Sequence, residues 1–246
     1  MSHTQQNDDS MVIGSIGSFT YSGMRPDYLT STNEYTLVSI VLDISGSVDA
    51  FSKELGDCLT SIVQACRRSP RSENLLITIR EFNQKVHEKQ GFMPLKDTDV
   101  SRLLPIRCSG TTALFDAMYA SIGGANAYAA QHLFPNDFLV NAITFIITDG
   151  EDNASRMTGA SIKKELETMV KEEKLESHIT ILIGVNMTSS QAYLDKVKTS
   201  SGLTQMINAG DADEKTLAKL AQFVSKSISS QSQSLGSGGP SQTISF

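Results

Sequence analysis

Asp43, Ser45 and Ser47 stand at alternate positions in the stretch Val41-Leu42-Asp43-Ile44-Ser45-Gly46-Ser47-Val48. One carboxylate and two neutral hydroxyls at that spacing suit a hard divalent cation, which takes oxygen ligands. Two later stretches carry the same kind of donor. Cys108-Ser109-Gly110-Thr111-Thr112-Ala113 offers hydroxyls in a glycine-containing turn, and Thr148-Asp149-Gly150-Glu151-Asp152-Asn153 offers carboxylates. His3, His87, His132 and His178 are scattered, without the spacing of a metal or proton-transfer pair.

Something must bring these three stretches together, and the hydropathy pattern supplies it. An apolar run over 35–42 reads as a buried strand that stops at Asp43. Phe51, Leu55, Cys58, Leu59, Ile62, Val63 and Cys66 then repeat with helical period, so a first helix is expected over 48–68. A second strand is expected over 75–82, with a polar antiparallel partner over 85–92 and a short helix over 97–104. The threonine turn runs into a helix carrying Leu114, Phe115, Met118 and Ile122. The most hydrophobic strand, 141–148, ends at Asp149 as the first ended at Asp43. Further alternation follows: helix 161–173, strand 179–185, helix 191–199, strand 205–208 and helix 213–229. Strictly alternating strands and helices imply an α/β fold: a Rossmann-like, doubly wound, mostly parallel sheet with one antiparallel edge strand and helices on both faces. In open sheets of this kind ligands bind beyond the carboxyl ends of the strands, where Asp43 and Asp149 fall.

In that setting the motifs resemble those of a von Willebrand factor type A domain, over about residues 35–229. Asp43-x-Ser45-x-Ser47, the helix opening Gly110-Thr111-Thr112-Ala113-Leu114-Phe115-Asp116-Ala117 and Ile147-Thr148-Asp149-Gly150 are similar, in order, to the family's metal-ion-dependent adhesion site. The resemblance implies metal ligation by Asp43, Ser45, Ser47, Thr112 and Asp149. Aligning on Thr112-Ala113-Leu114-Phe115-Asp116-Ala117 puts Thr112 at the ligand position, with Thr111 where a small residue is usual. It also implies Mg²⁺ or Mn²⁺, and hydroxyl ligands with retained waters agree with Mg²⁺. In the family one coordination position stays open for an aspartate or glutamate of another protein. The expected function is therefore a non-catalytic adaptor domain that engages an acidic side chain of a partner within a cytoplasmic complex. Family precedent points to a MoxR-type AAA+ ATPase or a bacterial stress- or phage-related assembly as partner. Asp116 is expected to be a structural helix residue, and Glu151, Asp152 and Asn153 a solvated loop.

Composition narrows the alternatives. At 246 residues, 39% hydrophobic and 20% charged, the chain can bury a sizeable core. A net charge of −6 argues against nucleic acid as partner. No run of about 18 apolar residues is present to span a membrane. Three cysteines without zinc spacing, two of them on the inner face of the first helix, and a polar start without signal-peptide character point to a reducing, cytoplasmic setting. Residues 1–34 are expected to be a partly flexible or edge-strand lead-in. Gly14-Ser15-Ile16-Gly17-Ser18 there follows no buried strand and opens no helix, so it is not a dinucleotide loop. The Ser-, Gln- and Gly-rich stretch 230–246 is expected to be a disordered tail. A metal-dependent phosphohydrolase would need a second carboxylate two residues after Asp43, and that position is Ser45. A self-assembling structural subunit remains compatible with the same fold.

Overall fold

The computed structural model describes residues 9–172, 174–187, 191–238 and 243–246. Readings made for 1–8, Glu173, 188–190 and 239–242 lie outside the described residues. Eight strands form one sheet in the order β1-β2-β5-β4-β3-β6-β7-β8. They are β1 (Met11–Ile16), β2 (Phe19–Met24), β3 (Glu34–Asp43), β4 (Leu75–Phe82), β5 (Val86–Pro94), β6 (Leu139–Thr148), β7 (Ser177–Val185) and β8 (Gln205–Gly210). The helices are α1 (Ser52–Arg67), α2 (Leu114–Tyr128), α3 (Gly159–Glu172), α4 (Gln191–Ser201) and α5 (Glu214–Ser237). Strands β4, β3, β6, β7 and β8 run parallel, and β5 is antiparallel to β4.

Side chains alternate across the sheet and so divide the core in two. Val38, Ile40, Leu42, Ile143 and Phe145 meet α1 and α5 on one face. On the other, Val41, Ile146 and Leu182 meet Leu114, Ala117, Met118, Ile162, Leu194 and Val197 of α2, α3 and α4. Central strands buried on both faces are apolar on both, which is why β3 and β6 read as hydrophobic runs interrupted only by small polar residues such as Ser39 and Thr144.

The two ends of the chain bear differently on the expectations: the first agrees with the edge-strand reading and the second corrects the tail. The lead-in before residue 35 holds the hairpin β1–β2, which joins the sheet through a parallel Gly23–Phe92 pairing. Its anchors are polar and aromatic, not periodic. Arg80, buried in β4, pairs with Glu88 of β5 and donates to the Thr20 carbonyl at 3.1 Å, while Ser22 Oγ donates to Glu88 at 2.5 Å. Gly23 leaves room for the Tyr128 ring, whose hydroxyl donates to the Met24 carbonyl at 2.6 Å.

The tail expected to be disordered from residue 230 is corrected at its start, because α5 continues to Ser237 with Gln231 and Ser232 fully buried. The inward stripe of Leu217, Leu220, Val224 and Ile228 simply continues with polar members, so hydrophobicity alone gives no sign of it. Gln231 Nε2 donates to Ser177 Oγ at 2.7 Å, and its carbonyl accepts Asn141 Nδ2 at 2.7 Å. Arg71 Nε donates to Ser232 Oγ at 3.0 Å. At the end, Phe246 packs edge-on against Phe223 at 5.7 Å, with Lys219 Nζ 4.2 Å from its ring centroid.

Two predictions follow from these contacts. Truncation after Ser229 strips partners from Asn141, Ser177 and Arg71, and each buried polar group left unmade costs ~1–3 kcal/mol. Urea denaturation is expected to show a loss of several kcal/mol, where a truly disordered tail would cost nothing. The second concerns His178, a largely buried residue with both ring nitrogens engaged, by Thr144 Oγ1 at 2.8 Å and Asn126 Oδ1 at 3.1 Å. Asn126 Nδ2 donates to Glu165, so Oδ1 accepts from His178 Nδ1–H and Nε2 accepts from Thr144, which is the neutral ring. Burial pushes its pKa from 6.5 down to about 3. Between those values the unfolded chain binds a proton that the folded one refuses, so stability falls as pH drops through 6.5 toward 3. The slope is at most about 1.4 kcal/mol per pH unit, and His178→Gln is expected to flatten that limb of the stability–pH curve.

Candidate metal centre

The site is built where β3 and β6 end side by side. Leu42 pairs with Ile147, so Asp43 and Thr148 leave the sheet together and Asp149 follows one residue later. Asp43 is 1% exposed at the end of an apolar strand. Its Oδ2 accepts Thr148 Oγ1 at 2.6 Å and its Oδ1 accepts the Ser45 amide at 2.8 Å. Ser45 Oγ lies 3.1 Å from Ser47 Oγ, and Ser47 Oγ donates to Asp149 Oδ1 at 2.9 Å. Four of the five expected residues therefore share one hydrogen-bonded knot across two loops.

After Asp43 the chain winds through a 3₁₀ turn, Gly46–Phe51, before α1 begins. A serine before a helix ordinarily caps it. Here neither segment receives a side-chain cap, and the Ser45 and Ser47 hydroxyls point instead at each other and at Asp149. The third loop closes on the first through backbone: the Gly46 amide donates to the Gly110 carbonyl at 3.0 Å, and the Ser109 amide to that of Ile44 at 2.9 Å. Gly110 sits at φ +85, a backbone conformation that strains any L side chain, with the Gln84 side chain against it.

Thr112 is buried and Thr111 exposed. A Cβ on Gly150 would lie 3.5 Å from Thr112 Oγ1, so this hydroxyl faces the Asp149–Gly150 turn. It does not share the hydrogen bonds of the other four.

The loop after Asp149, expected to be simply solvated, does the fastening. Asn153 Oδ1 accepts the Thr112 amide at 2.8 Å, and the Thr112 carbonyl accepts the Asn153 and Ala154 amides at 2.9 and 3.2 Å. Asp152 Oδ1 accepts the Phe115 amide at 3.4 Å and Ser155 Oγ at 2.5 Å. In return Asp116 Oδ1 accepts the Arg156 and Met157 amides at 2.9 and 2.8 Å. The asparagine after Asp149-Gly150-Glu151-Asp152 was the only sequence signal for this, since a short polar side chain in a turn seeks nearby amides.

Electrostatics fits the donor set to a cation. Burial raises the Asp43 pKa and the neighbouring Asp149 raises it further, against hydrogen bonds from Thr148 and Ser45. Burial likewise raises Asp149 against its Ser47 bond. The Cys108 thiol beside the site is pushed up to about 11, by burial and then by Asp49, Asp43, Glu81 and Asp149. Every charge acting on it is negative. Two converging carboxylates with hydroxyls between them, in a net negative field, are what a divalent cation neutralises. Among the described residues no cluster of three His, Cys, Asp or Glu exists, because three of the five donors here are hydroxyls.

No protein-family model matches the sequence, and no curated protein does. Solved structures do match. The PilB minor pilin from Streptococcus sanguinis superposes with TM-score 0.58 at 16% identity, over 86% of this chain and 64% of that one. A von Willebrand factor type A structure from Catenulispora acidiphila gives 0.54 at 15% identity, over 79% and 43%. Proximal thread matrix protein 1 from the mussel byssus, with a zinc-occupied MIDAS motif, gives 0.52 at 17% identity, over 80% and 46%. This chain thus spans between 43% and 64% of the lengths of these three. At such identities the likeness establishes the fold: an α/β sheet of the von Willebrand factor type A kind.

Proposed function

We propose that this protein is a metal-dependent protein-interaction module that binds an acidic side chain of a partner through a divalent cation held by Asp43, Ser45, Ser47, Thr112 and Asp149. The observation that carries this reading is the chain of oxygens from Asp43 through Ser45 and Ser47 to Asp149, drawn from two strand ends 106 positions apart in sequence and free of any capping duty. When bound, the ion supplies an electrophilic centre that hydroxyl ligands neutralise poorly, so an incoming carboxylate gains more than in a surface ion pair. Asp43 and Asp149 carry the compensating charge, the serines space them, and Asn153 fixes the threonine loop. The zinc in the byssus protein's motif supports divalent binding on this fold. Mg²⁺ or Mn²⁺ is the reading here, from the small all-oxygen donor set.

The module binds and does not hydrolyse: Ser45 stands where a phosphohydrolase of this topology needs its second carboxylate. Buried free thiols at Cys58 and Cys66 favour a reducing, cytoplasmic location. No helix among the described residues is long and apolar enough to cross a membrane. Partners of the expected class are a MoxR-type AAA+ ATPase or a stress- or phage-related assembly, each recognised by an exposed Asp or Glu.

Calorimetric titration with Mg²⁺, Mn²⁺ and Zn²⁺ separately is expected to show uptake of about one ion per chain, weakened at least about tenfold by Asp43→Ala. Uptake unchanged in that variant would overturn the assignment. A glutamate-bearing peptide should then bind only with the ion present and be released by EDTA. Asn153→Ala tests positioning separately. Its side chain holds the Thr112 amide and not a ligand oxygen, so metal affinity is expected to fall about tenfold with the donor oxygens themselves all retained.

A further inference from the structure

The sheet has two edges, and they are treated differently. At β8 the Gln205 side chain donates to the Ile244 carbonyl at 3.1 Å, so the C-terminal segment lies against that edge. At β1 no described residue pairs with the outer side. The strand there reads Met11-Val12-Ile13-Gly14-Ser15-Ile16, with no charge, no proline and no bulge in its pairing to β2. Natural edge strands usually carry one of those devices to prevent strand addition. Ile13 at its centre is 79% exposed, the highest among the large hydrophobic side chains exposed on the described surface.

The register says which groups face outward. Ile16 and Phe19 flank a two-residue turn, so they form a hydrogen-bonded pair and the even positions of β1 bond to β2. The Arg25 amide donating to the Ser10 carbonyl at 2.7 Å has the same phase. The amides and carbonyls of Met11, Ile13 and Ser15 therefore point away from the sheet. Val12, Gly14 and Ile16 share the Tyr21 face toward α2, which leaves Ile13 on the opposite, open face.

We infer that β1 is a self-association edge, which pairs antiparallel with β1 of a second copy of this chain about a two-fold axis at Ile13. Strand pairing that keeps the helices of both copies on their own sides of a continuous sheet requires opposed residues whose numbers sum to an even value. Centring on Ile13 satisfies this, with Met11 opposite Ser15 of the second copy and Gly14 opposite Val12. Met11, Ile13 and Ser15, whose backbone groups are turned outward, then face one another across the seam, and Ile13 exchanges both hydrogen bonds with its twin. The same register sets the two exposed isoleucines side by side on one face. An uncharged strand meets its own copy without repulsion, and the interface is isologous and closed, which fits a dimer and not a fibre. This use of the edge is independent of the metal centre.

Sedimentation velocity of the full chain at about 0.1 mM is expected to give twice the 26.7 kDa chain mass, with or without EDTA. Ile13→Lys, which sets two ammonium groups opposite each other at an already exposed position, should raise the dimer dissociation constant at least about tenfold while leaving the melting temperature unchanged. Ile13→Cys should cross-link to dimer with a short bis-maleimide. Ser18→Cys should not, since that register separates it from its twin by roughly 34 Å. A wild-type chain of single mass at that concentration overturns the proposal. So does a dimer indifferent to Ile13→Lys, or one abolished by EDTA, which would place the contact at the metal centre instead.

Discussion

Two carboxylates at the ends of adjacent strands repel each other, and the organisation of the site follows from holding them together. Asp43 is forced into the core's margin because β3 is buried on both faces up to its last residue. Its charge cannot retreat to water, so it is satisfied locally, by the Ser45 amide and the Thr148 hydroxyl. Those bonds lower its pKa, but burial and Asp149 outweigh them. The folded protein thus keeps an unresolved electrostatic cost at one point of its surface. Structures retain such costs where a ligand of opposite charge relieves them.

The same logic explains why the outer loop is fastened so thoroughly. A site assembled from three loops is only as well defined as the loops are still. Backbone bonds tie the first loop to the threonine turn at Gly46–Gly110 and Ile44–Ser109. Asn153, Asp152 and Asp116 then tie the threonine turn to the segment after Asp149, each using a side chain to hold amides at the start of another element. Three acidic or amide side chains near the site are consequently occupied with structure, which leaves Asp43 and Asp149 as its charge. Asp116 belongs to the helix, as its position in the sequence suggested. Asn153 and Asp152 are not the solvated residues that their composition suggested.

How much could be read from residues alone depended on whether the signal was periodic. Strands β3, β4, β6 and β7 were legible because two-sided burial makes them predominantly apolar, and α1 because its inner face repeats every three or four residues. Asp43 stood out in the sequence because a carboxylate that ends an apolar strand has few structural uses, and the structure gathers it with Ser45, Ser47 and Asp149. The hairpin β1–β2 and the last two turns of α5 were less so. The hairpin is held by Arg80, Glu88 and close glycine–tyrosine approaches; the helix end is held by Gln231, Ser232 and Arg71. Buried polar contacts depend on distant partners, and no local pattern announces them. Thr112 is intermediate: two threonines stand in the same turn, and burial separates the inner from the outer.

The two surfaces then stand in a fixed relation. β2 is parallel to β5, β5 antiparallel to β4, and β4 parallel to β3, so β1, antiparallel to β2, runs in the same direction as β3. The carboxyl end of β3 carries Asp43. In the proposed dimer, antiparallel pairing of β1 with its copy reverses one sheet relative to the other, and the two ends that carry Asp43 emerge on opposite rims of the joined sheet. A dimer of this geometry cannot bring both sites onto one small partner. On the proposed function such a dimer would join two acidic partners, each held at one rim, and two weak contacts of that kind gain from being linked only where both partners belong to one larger assembly.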